Sequence, residues 1–126
     1  MKLLLDTQAL IWWINDDPKL GSRARNLIAD DRNQVLVSVA SFWEMAIKHR
    51  IGKLEDSGAA AYHEVQAGGF IVVGIDAEHL QALEGLVTQS DHKDPFDHLI
   101  LAQSLSEDAI LVTSDRRMRQ YGIRCV

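Results

Sequence analysis

Short apolar runs alternate with longer, helix-length segments along the whole sequence. The runs that predict strands are KLLL, QVLVS, FIVVGI and AILVTSD, at 2–5, 34–38, 70–75 and 109–115, with IRCV at 123–126 as a possible fifth. They are continuously apolar rather than alternating, which is typical of parallel strands buried on both faces. The pattern therefore predicts an α/β fold whose central parallel β-sheet is covered by helices on both faces. Without repeats or linkers, the 126 residues are expected to form one domain, 1–126.

Helical patterns and capping residues fill the intervals between these runs. Helices are predicted at 7–15, 21–31, 41–52, 57–69, 76–86 and 95–107, with a loop at 87–93 and a short helical turn at 116–122. Asp94 is a good N-cap, because Pro95 then takes the first helical position, where its missing N–H costs nothing. Asp76 is a similar cap. Ser41 and Glu44 match the capping box, which predicts a helix that begins at Ser41.

Composition favours a globular protein in a reducing compartment. Hydrophobic residues make up 47% and charged residues 25% of the chain, and no apolar run approaches the roughly 20 residues that cross a bilayer. Asp6 interrupts the apolar N-terminal region and no small-residue cleavage site follows, so we expect no signal peptide. The single cysteine, Cys125, excludes an internal disulfide. The predicted location is cytoplasmic, with no membrane partner.

The charges are distributed unevenly. A net charge of −5 alone argues against nucleic acid as a partner, but residues 54–91 hold seven acids and neither Lys nor Arg. The rest of the chain is slightly positive, with basic clusters at 48–53 and 115–119. These clusters are either solvated faces or a rim that contacts phosphates. The candidate bases are Lys48, Arg50, Lys53, Arg116, Arg117 and Arg119.

Four carboxylates are predicted to meet at one edge of the sheet. Asp6 and Asp115 directly follow apolar strands, whereas Glu44 and Asp97 lie in or near the first turns of helices that begin at the same edge. Each acid alone is explained by helix capping or by the helix dipole. Together they would repel each other and raise each other's pKa unless a cation neutralised them. Mg²⁺ or Mn²⁺ suits such oxygen ligands.

Zinc is a poor alternative, since the five histidines lack ligand spacing and the cysteine has no partner. Only His98 is expected to lie close to the cluster. Carboxylate-bound Mg²⁺ typically serves phosphoryl and phosphodiester chemistry.

Four motifs that occur in this order resemble those of the PIN-domain ribonucleases, specifically the VapC-type toxins of bacterial type II toxin–antitoxin pairs. The motifs are LLLDTQALIW, VSVASFWEMAIKHRIGKL, DPFDHLILAQ and ILVTSDRRMRQYGI. The resemblance implies a three-layer α/β/α fold and an endoribonuclease dependent on Mg²⁺ or Mn²⁺. Its acidic positions fall on Asp6, Glu44, Asp97 and Asp115. Asp94 keeps its capping role, and Thr113 or Thr7 adds a hydroxyl near the site.

Further expectations follow from this resemblance. Asp6 and Asp97 are taken as the principal metal ligands, while Glu44 and Asp115 complete the shell, directly or through water, and orient the attacking water. Hydrolysis of structured RNA would leave a 5′-phosphate and a 3′-hydroxyl. The partners are a VapB-like antitoxin, whose extended segment covers the site, and a second copy of the chain. The stretch ALIWWI at 9–14 fits that interface and a core helix about equally.

One residue departs from the family pattern, since relatives with the DPFD motif often carry Arg where His98 stands. This leaves every acid intact and affects only a substrate contact or a residue behind the site.

Two other classes of protein share parts of this pattern. A receiver or a haloacid-dehalogenase-type phosphatase would use Asp6 as a covalent nucleophile. The phosphatase pattern requires another Asp two residues after Asp6, where this chain has Gln8. A receiver requires a second aspartate at the end of a central strand and a lysine at the end of a later one, but Asp56 follows no predicted strand and 109–115 contains no lysine. The other alternative is a catalytically silent PIN-fold binding module. That class predicts loss of the acids, yet all four are present.

Overall fold

The strands form a single parallel sheet, as the apolar runs predict. A computed structural model describes residues 1–87 and 89–126, so residue 88 of the predicted loop lies outside the described residues. The strands are β1 Lys2–Leu5, β2 Gln34–Ser38, β3 Ile71–Val73 and β4 Ile110–Val112. Their order across the sheet is β3-β2-β1-β4, and every neighbouring pair is parallel.

Helices connect the strands and cover the sheet. They are α1 Thr7–Ile14, α2 Ser22–Ala29, α3 Val39–Arg50, α4 Gly58–Ala67, α5 Ala77–Glu84, α6 Pro95–Ser106 and α7 Arg116–Arg119, with a 3₁₀ turn at Pro18–Leu20. Among the described residues, none of these helices is long and apolar enough to cross a membrane.

The sheet is buried on both faces, which explains why its strands are continuously apolar. Leu3, Leu4 and Leu5 of β1 are fully buried. Because successive strand residues point to opposite faces, Leu3 and Leu5 join one core cluster and Leu4 joins another. The first cluster includes Leu10 of α1 and the second includes Ile100 of α6. The three-layer α/β/α arrangement is confirmed.

Two sequence predictions differ from the structure. The run at 123–126 forms only an isolated bridge between Leu111 and Cys125, because its backbone bonds reach β4 over a very short stretch. The predicted capping box is also incorrect: α3 begins at Val39 with Ser38 as its N-cap. Ser41 is instead buried inside the helix, where its hydroxyl accepts a hydrogen bond from Thr7 Oγ1 at 3.0 Å.

The ambiguous segment at 9–14 belongs mainly to the core. Ala9 and Leu10 are buried, and the four residues that follow are half-buried and pack against the same cluster.

Candidate active site

The four predicted acids line one cavity at the carboxyl edge of the sheet. Its volume is about 440 Å³. The lining residues are Asp6, Thr7, Gln8, Ile11, Glu44, Lys48, Asp94, Asp97, Ser114, Asp115 and Arg117. Five carboxylates therefore face two cationic side chains. This imbalance makes the cavity a favourable place for a further cation.

Asp6 lies where β1 ends and α1 begins. Its backbone N–H donates to Val112 O of the neighbouring strand at 3.1 Å, and its Oδ1 caps α1 by accepting from Ala9 N at 2.7 Å. The Thr113 hydroxyl donates to Oδ2. The pKa of Asp6 is raised to about 6, mainly by burial. The two hydrogen bonds lower it, and the charges of Asp97 and Asp115 contribute to the rise.

Glu44 projects from the second turn of α3 into the cavity, with its side chain only 8% exposed. Oε2 accepts from Lys48 Nζ at 2.8 Å, one helical turn later. Oε1 is buried and has no hydrogen-bond partner among the described residues. An unpaired buried carboxylate oxygen is costly, so a cation bound beside Glu44 would stabilise this side chain.

Asp97 lies at the third position of α6, and Asp94 caps the same helix. Asp94 Oδ1 accepts from Phe96 N at 2.9 Å and from Asp97 N at 3.2 Å, which confirms the predicted cap. Burial raises the pKa of Asp97. A hydrogen bond from His92 lowers it, and the negative charges of Asp94 and Glu44 raise it. Asp94 therefore caps the helix and also raises the pKa of an acid that lines the cavity.

Asp115 follows β4 and caps α7 by accepting from Arg117 N at 2.9 Å. The Arg117 guanidinium donates to both of its oxygens, at 3.3 and 3.1 Å. Burial raises the pKa of Asp115, but these bonds and the charge of Arg117 outweigh it, so the pKa is lowered. Asp115 is thus the most readily ionised of the three cavity acids whose pKa is shifted.

The histidine in contact with the cluster is His92 rather than the expected His98. His92 Nε2 lies 2.9 Å from Asp97 Oδ2. His98 instead contacts the backbone of this loop, its Nε2 lying 2.9 Å from His92 O, and it lines a separate small cavity. His92 occurs in a polar loop, where no periodic pattern marks a buried residue.

The basic candidates divide into two groups. Lys48 and Arg117 line the cavity, and each pairs with one of its acids. Arg119 donates to Thr113 O at 2.7 Å and lines a neighbouring cavity. Arg50, Lys53 and Arg116 are exposed.

The donor set fits a hard divalent cation. One ligand atom from each of His92, Asp97 and Asp115 lies within 4.8 Å of the others. Asp6 is outside this set, but it lines the same cavity and its pKa responds to both acids of the set. Carboxylate oxygens predominate, as Mg²⁺ and Mn²⁺ prefer.

Comparisons with known proteins place the fold. VapBC2 from Rickettsia felis, bound to a DNA fragment from its promoter, is 18% identical with a TM-score of 0.76, covering 100% of this chain and 98% of that chain. VapBC-1 from nontypeable Haemophilus influenzae is 18% identical with a TM-score of 0.70, covering 100% and 97%. VapC20 from Mycobacterium tuberculosis, a sarcin–ricin loop cleaving toxin, is 20% identical with a TM-score of 0.65, covering 96% and 95%.

These likenesses concern the fold, and no curated protein matches the chain. The family is established by the sequence itself, which matches the PIN domain over residues 3–123. This chain therefore belongs to the PIN domain family.

Proposed function

We propose that this protein is a metal-dependent endoribonuclease and the VapC-type toxin of a toxin–antitoxin pair. The observation that carries the proposal is that Glu44, whose buried Oε1 has no partner among the described residues, lines a cavity rich in carboxylates. A buried anionic oxygen without a donor calls for a cation. Membership of the PIN domain family and the likeness to toxin structures support the nuclease assignment.

Asp6 and Asp97 would be the principal ligands of Mg²⁺ or Mn²⁺, and Glu44 and Asp115 would complete the shell directly or through water. When bound, such an ion polarises a phosphate oxygen, activates water and stabilises the leaving oxygen. Thr113 fixes the orientation of Asp6 through its hydroxyl. Lys48 and Arg117 hold Glu44 and Asp115 in place and present positive charge to the phosphate backbone.

The reaction is hydrolysis of a phosphodiester in structured RNA. Glu44 and Asp115 orient a water molecule for in-line attack on phosphorus, and the bond from phosphorus to the 3′ oxygen breaks. The water oxygen remains on the 5′-phosphate and a proton passes to the 3′-hydroxyl, so atoms and charge balance. The exposed bases Arg50, Lys53 and Arg116 are further candidates for contacts with RNA phosphates.

Two protein partners accompany this function. One is a VapB-like antitoxin with an extended segment that covers the cavity, as the likeness to VapBC assemblies suggests. The other is a second copy of this chain. Its docking surface is the α3 apolar face, formed by Trp43, Ile47 and Ile51 on successive turns, which are 60%, 40% and 56% exposed.

A catalytically silent binding module is the alternative function. A binding module would have no use for four acids in one cavity or for the buried oxygen of Glu44. These groups lower the stability of the fold unless a cation binds. The retained cluster therefore favours the enzyme.

The test is cleavage of total RNA by purified protein with Mn²⁺ or Mg²⁺ and with excess EDTA. Asp97→Asn is the active-site variant, and Asp31→Asn, an exposed acid outside the cavity, is its matched control. We expect discrete fragments from the wild type and from Asp31→Asn, and none from Asp97→Asn or with EDTA. Equally intact RNA from all samples that bind metal would instead support the silent module.

A further inference from the structure

His92 is a buried residue in a polar segment. It lies between α5 and α6, flanked by Asp91 and Lys93, and its side chain is 0% exposed. Both ring nitrogens have partners: Nε2 lies 2.9 Å from Asp97 Oδ2, and Nδ1 lies 3.0 Å from Tyr121 Oη. An imidazole held at both nitrogens has a fixed orientation.

The direction of these hydrogen bonds follows from the chemistry of the partners. An ionised Asp97 can only accept, so the N–H on Nε2 of His92 donates to it. Nδ1 then carries the lone pair and accepts from the Tyr121 hydroxyl. Asp97 thus selects the tautomer with the N–H on Nε2, and Tyr121 holds the ring in the orientation that aims this N–H at Asp97.

The surroundings hold the ring in place. The His92 and Tyr121 rings meet edge-on with centroids 5.6 Å apart, and the His92 and His98 rings meet at 5.0 Å. The His98 ring also holds the backbone of His92 through Nε2, 2.9 Å from His92 O. The N-terminus of α6 and the segment after α7 therefore clamp His92 from two sides.

The hydrogen bond from His92 gives the two oxygens of Asp97 different roles. Oδ2 is held by His92, whereas no hydrogen bond within the described part of the chain reaches Oδ1. Asp97 lines the acidic cavity, so Oδ1 is the oxygen free to bind a cation there. Carboxylates that ligate metals are commonly hydrogen-bonded in this way, and loss of the outer partner typically weakens metal binding.

We propose that His92, oriented by Tyr121, is a positioning residue that holds Asp97 ready to ligate Mg²⁺ or Mn²⁺. The inference rests on the proposed function for its metal site, and it adds two residues that the acidic motifs do not contain.

Direct ligation by His92 is the competing role. Its ligand atom does lie within 4.8 Å of those of Asp97 and Asp115. However, the N–H on Nε2 donates a hydrogen bond to Asp97, and Nδ1 faces Tyr121. Either nitrogen would have to give up a present hydrogen bond to bind a metal. A nitrogen ligand would also shift the preference of the site from Mg²⁺ and Mn²⁺ towards Zn²⁺.

The test is the affinity of the purified full-length protein for Mn²⁺ alone, measured by calorimetry without RNA. The variants are His92→Leu, His92→Gln and Tyr121→Phe. The matched control is His79→Gln, because His79 is also buried, with Nε2 2.9 Å from a carboxylate oxygen of Glu107, outside the acidic cavity. His79, Asp76 and Glu107 also have ligand atoms close enough together to hold a metal, so this variant shows whether any of the measured Mn²⁺ binds there. Circular dichroism confirms that each variant is folded before it is titrated.

We expect His92→Leu to weaken Mn²⁺ binding about 10–100-fold, as for other outer partners of metal ligands. His92→Gln keeps an N–H donor and should recover part of the affinity. Tyr121→Phe should weaken binding by a smaller factor, and His79→Gln should leave it unchanged.

Wild-type affinity in folded His92→Leu would overturn the proposal. If that variant does not fold, unchanged affinity in Tyr121→Phe would overturn it instead. A wild-type preference for Zn²⁺ over Mn²⁺ that His92→Gln abolishes would make His92 a direct ligand. A protein whose Mn²⁺ affinity depends on His92 as expected but which leaves RNA intact would refute only the ribonuclease function, whereas a wild type that binds no Mn²⁺ would refute both.

Discussion

At the scale of single residues, Asp6 combines a structural and a chemical task on one carboxylate. Oδ1 caps α1 and Oδ2 accepts from Thr113, so both oxygens are fixed by the fold. The residue is nevertheless buried beside other acids, and its pKa rises to about 6. Ionised Asp6 therefore lowers the free energy of unfolding when no cation is present.

This cost predicts a dependence of stability on pH in metal-free protein. Folded Asp6 has a pKa of about 6 and an ordinary Asp has 3.8, so the folded state binds the proton more tightly. The contribution of Asp6 to the free energy of unfolding is complete below pH 3.8 and is lost as the pH rises through 6. Its size is about 3 kcal/mol. Urea denaturation in EDTA from acid to neutral pH measures it.

Asp6→Asn isolates the contribution of Asp6 to this pH dependence from those of the other acids. The variant keeps an acceptor for Ala9 N and has no charge to bury. Relative to wild type, it should gain stability as the pH rises from about 4 to 7. The same substitution should reduce the stabilisation that Mn²⁺ gives. A stability difference that stays constant over this range would show that Asp6 is not desolvated as described.

The residue scale also shows what a sequence can and cannot reveal. The acids were predictable because each follows a strand or opens a helix, and those positions share one edge of a parallel sheet. The ion pair of Lys48 with Glu44 was not predicted, although their i, i+4 spacing is a local signal for it. His92 had no such signal, because its burial depends on Tyr121, 29 residues further along the chain. Contacts between loops are not encoded in local periodicity.

At the scale of elements, the first turn of α6 joins helix capping to the electrostatics of the cavity. Asp94 accepts two backbone N–H groups, while its charge raises the pKa of Asp97. Only the cap was predictable from the sequence, because Asp followed by Pro is a local pattern. Its effect on Asp97 needed the arrangement of the whole cavity.

Substitutions at Asp94 should separate its two effects. Asp94→Asn keeps the capping acceptor and removes the charge, so stability should change little while the pKa of Asp97 falls. Asp94→Ala removes the acceptor as well and should cost about 1 kcal/mol of unfolding free energy. Urea denaturation gives the first quantity, and carboxyl chemical shifts against pH give the second. Equal destabilisation by Asn and Ala would mean that the charge, not the cap, stabilises this turn.

The start of α3 shows a limit of local patterns at this scale. Ser41 and Glu44 have capping-box spacing, yet Ser38 provides the cap because β2 ends there. The earlier start places Glu44 in the second turn, inside the cavity, and lets Ser41 pair with Thr7. The tertiary position of the strand end overrides the local motif.

At the scale of the whole molecule, the parallel topology brings acids from both ends of the chain together. Asp6 follows β1 and Asp115 follows β4, which are neighbours in the sheet. The apolar runs predicted this arrangement, since buried parallel strands all place their carboxyl ends at one edge. Surfaces that bind partners were harder to predict, because α1 and α3 carry similar apolar sequences. The structure packs α1 against the core and leaves one face of α3 exposed.

The α3 apolar face leads to a prediction about the assembly. Trp43 packs edge-on against Phe96, with centroids 5.2 Å apart, and continues into Ile47 and Ile51. Because Trp43 adjoins Glu44 and Phe96 adjoins Asp97, a second copy docked here would border the cavity. We expect the wild type to be a dimer by light scattering at micromolar concentration, and Ile47→Glu to be a monomer, since a charge at this face opposes its burial.

Leu105→Glu is the matched control, because Leu105 is 51% exposed on α6 and lies outside the α3 apolar face. By light scattering, this variant should be a dimer like the wild type. Loss of the dimer in both variants would point to general destabilisation, which urea denaturation would reveal. A monomeric wild type would remove the second copy as the occupant of this face. The antitoxin would then be the partner to test there, because the face borders the cavity that its extended segment is proposed to cover.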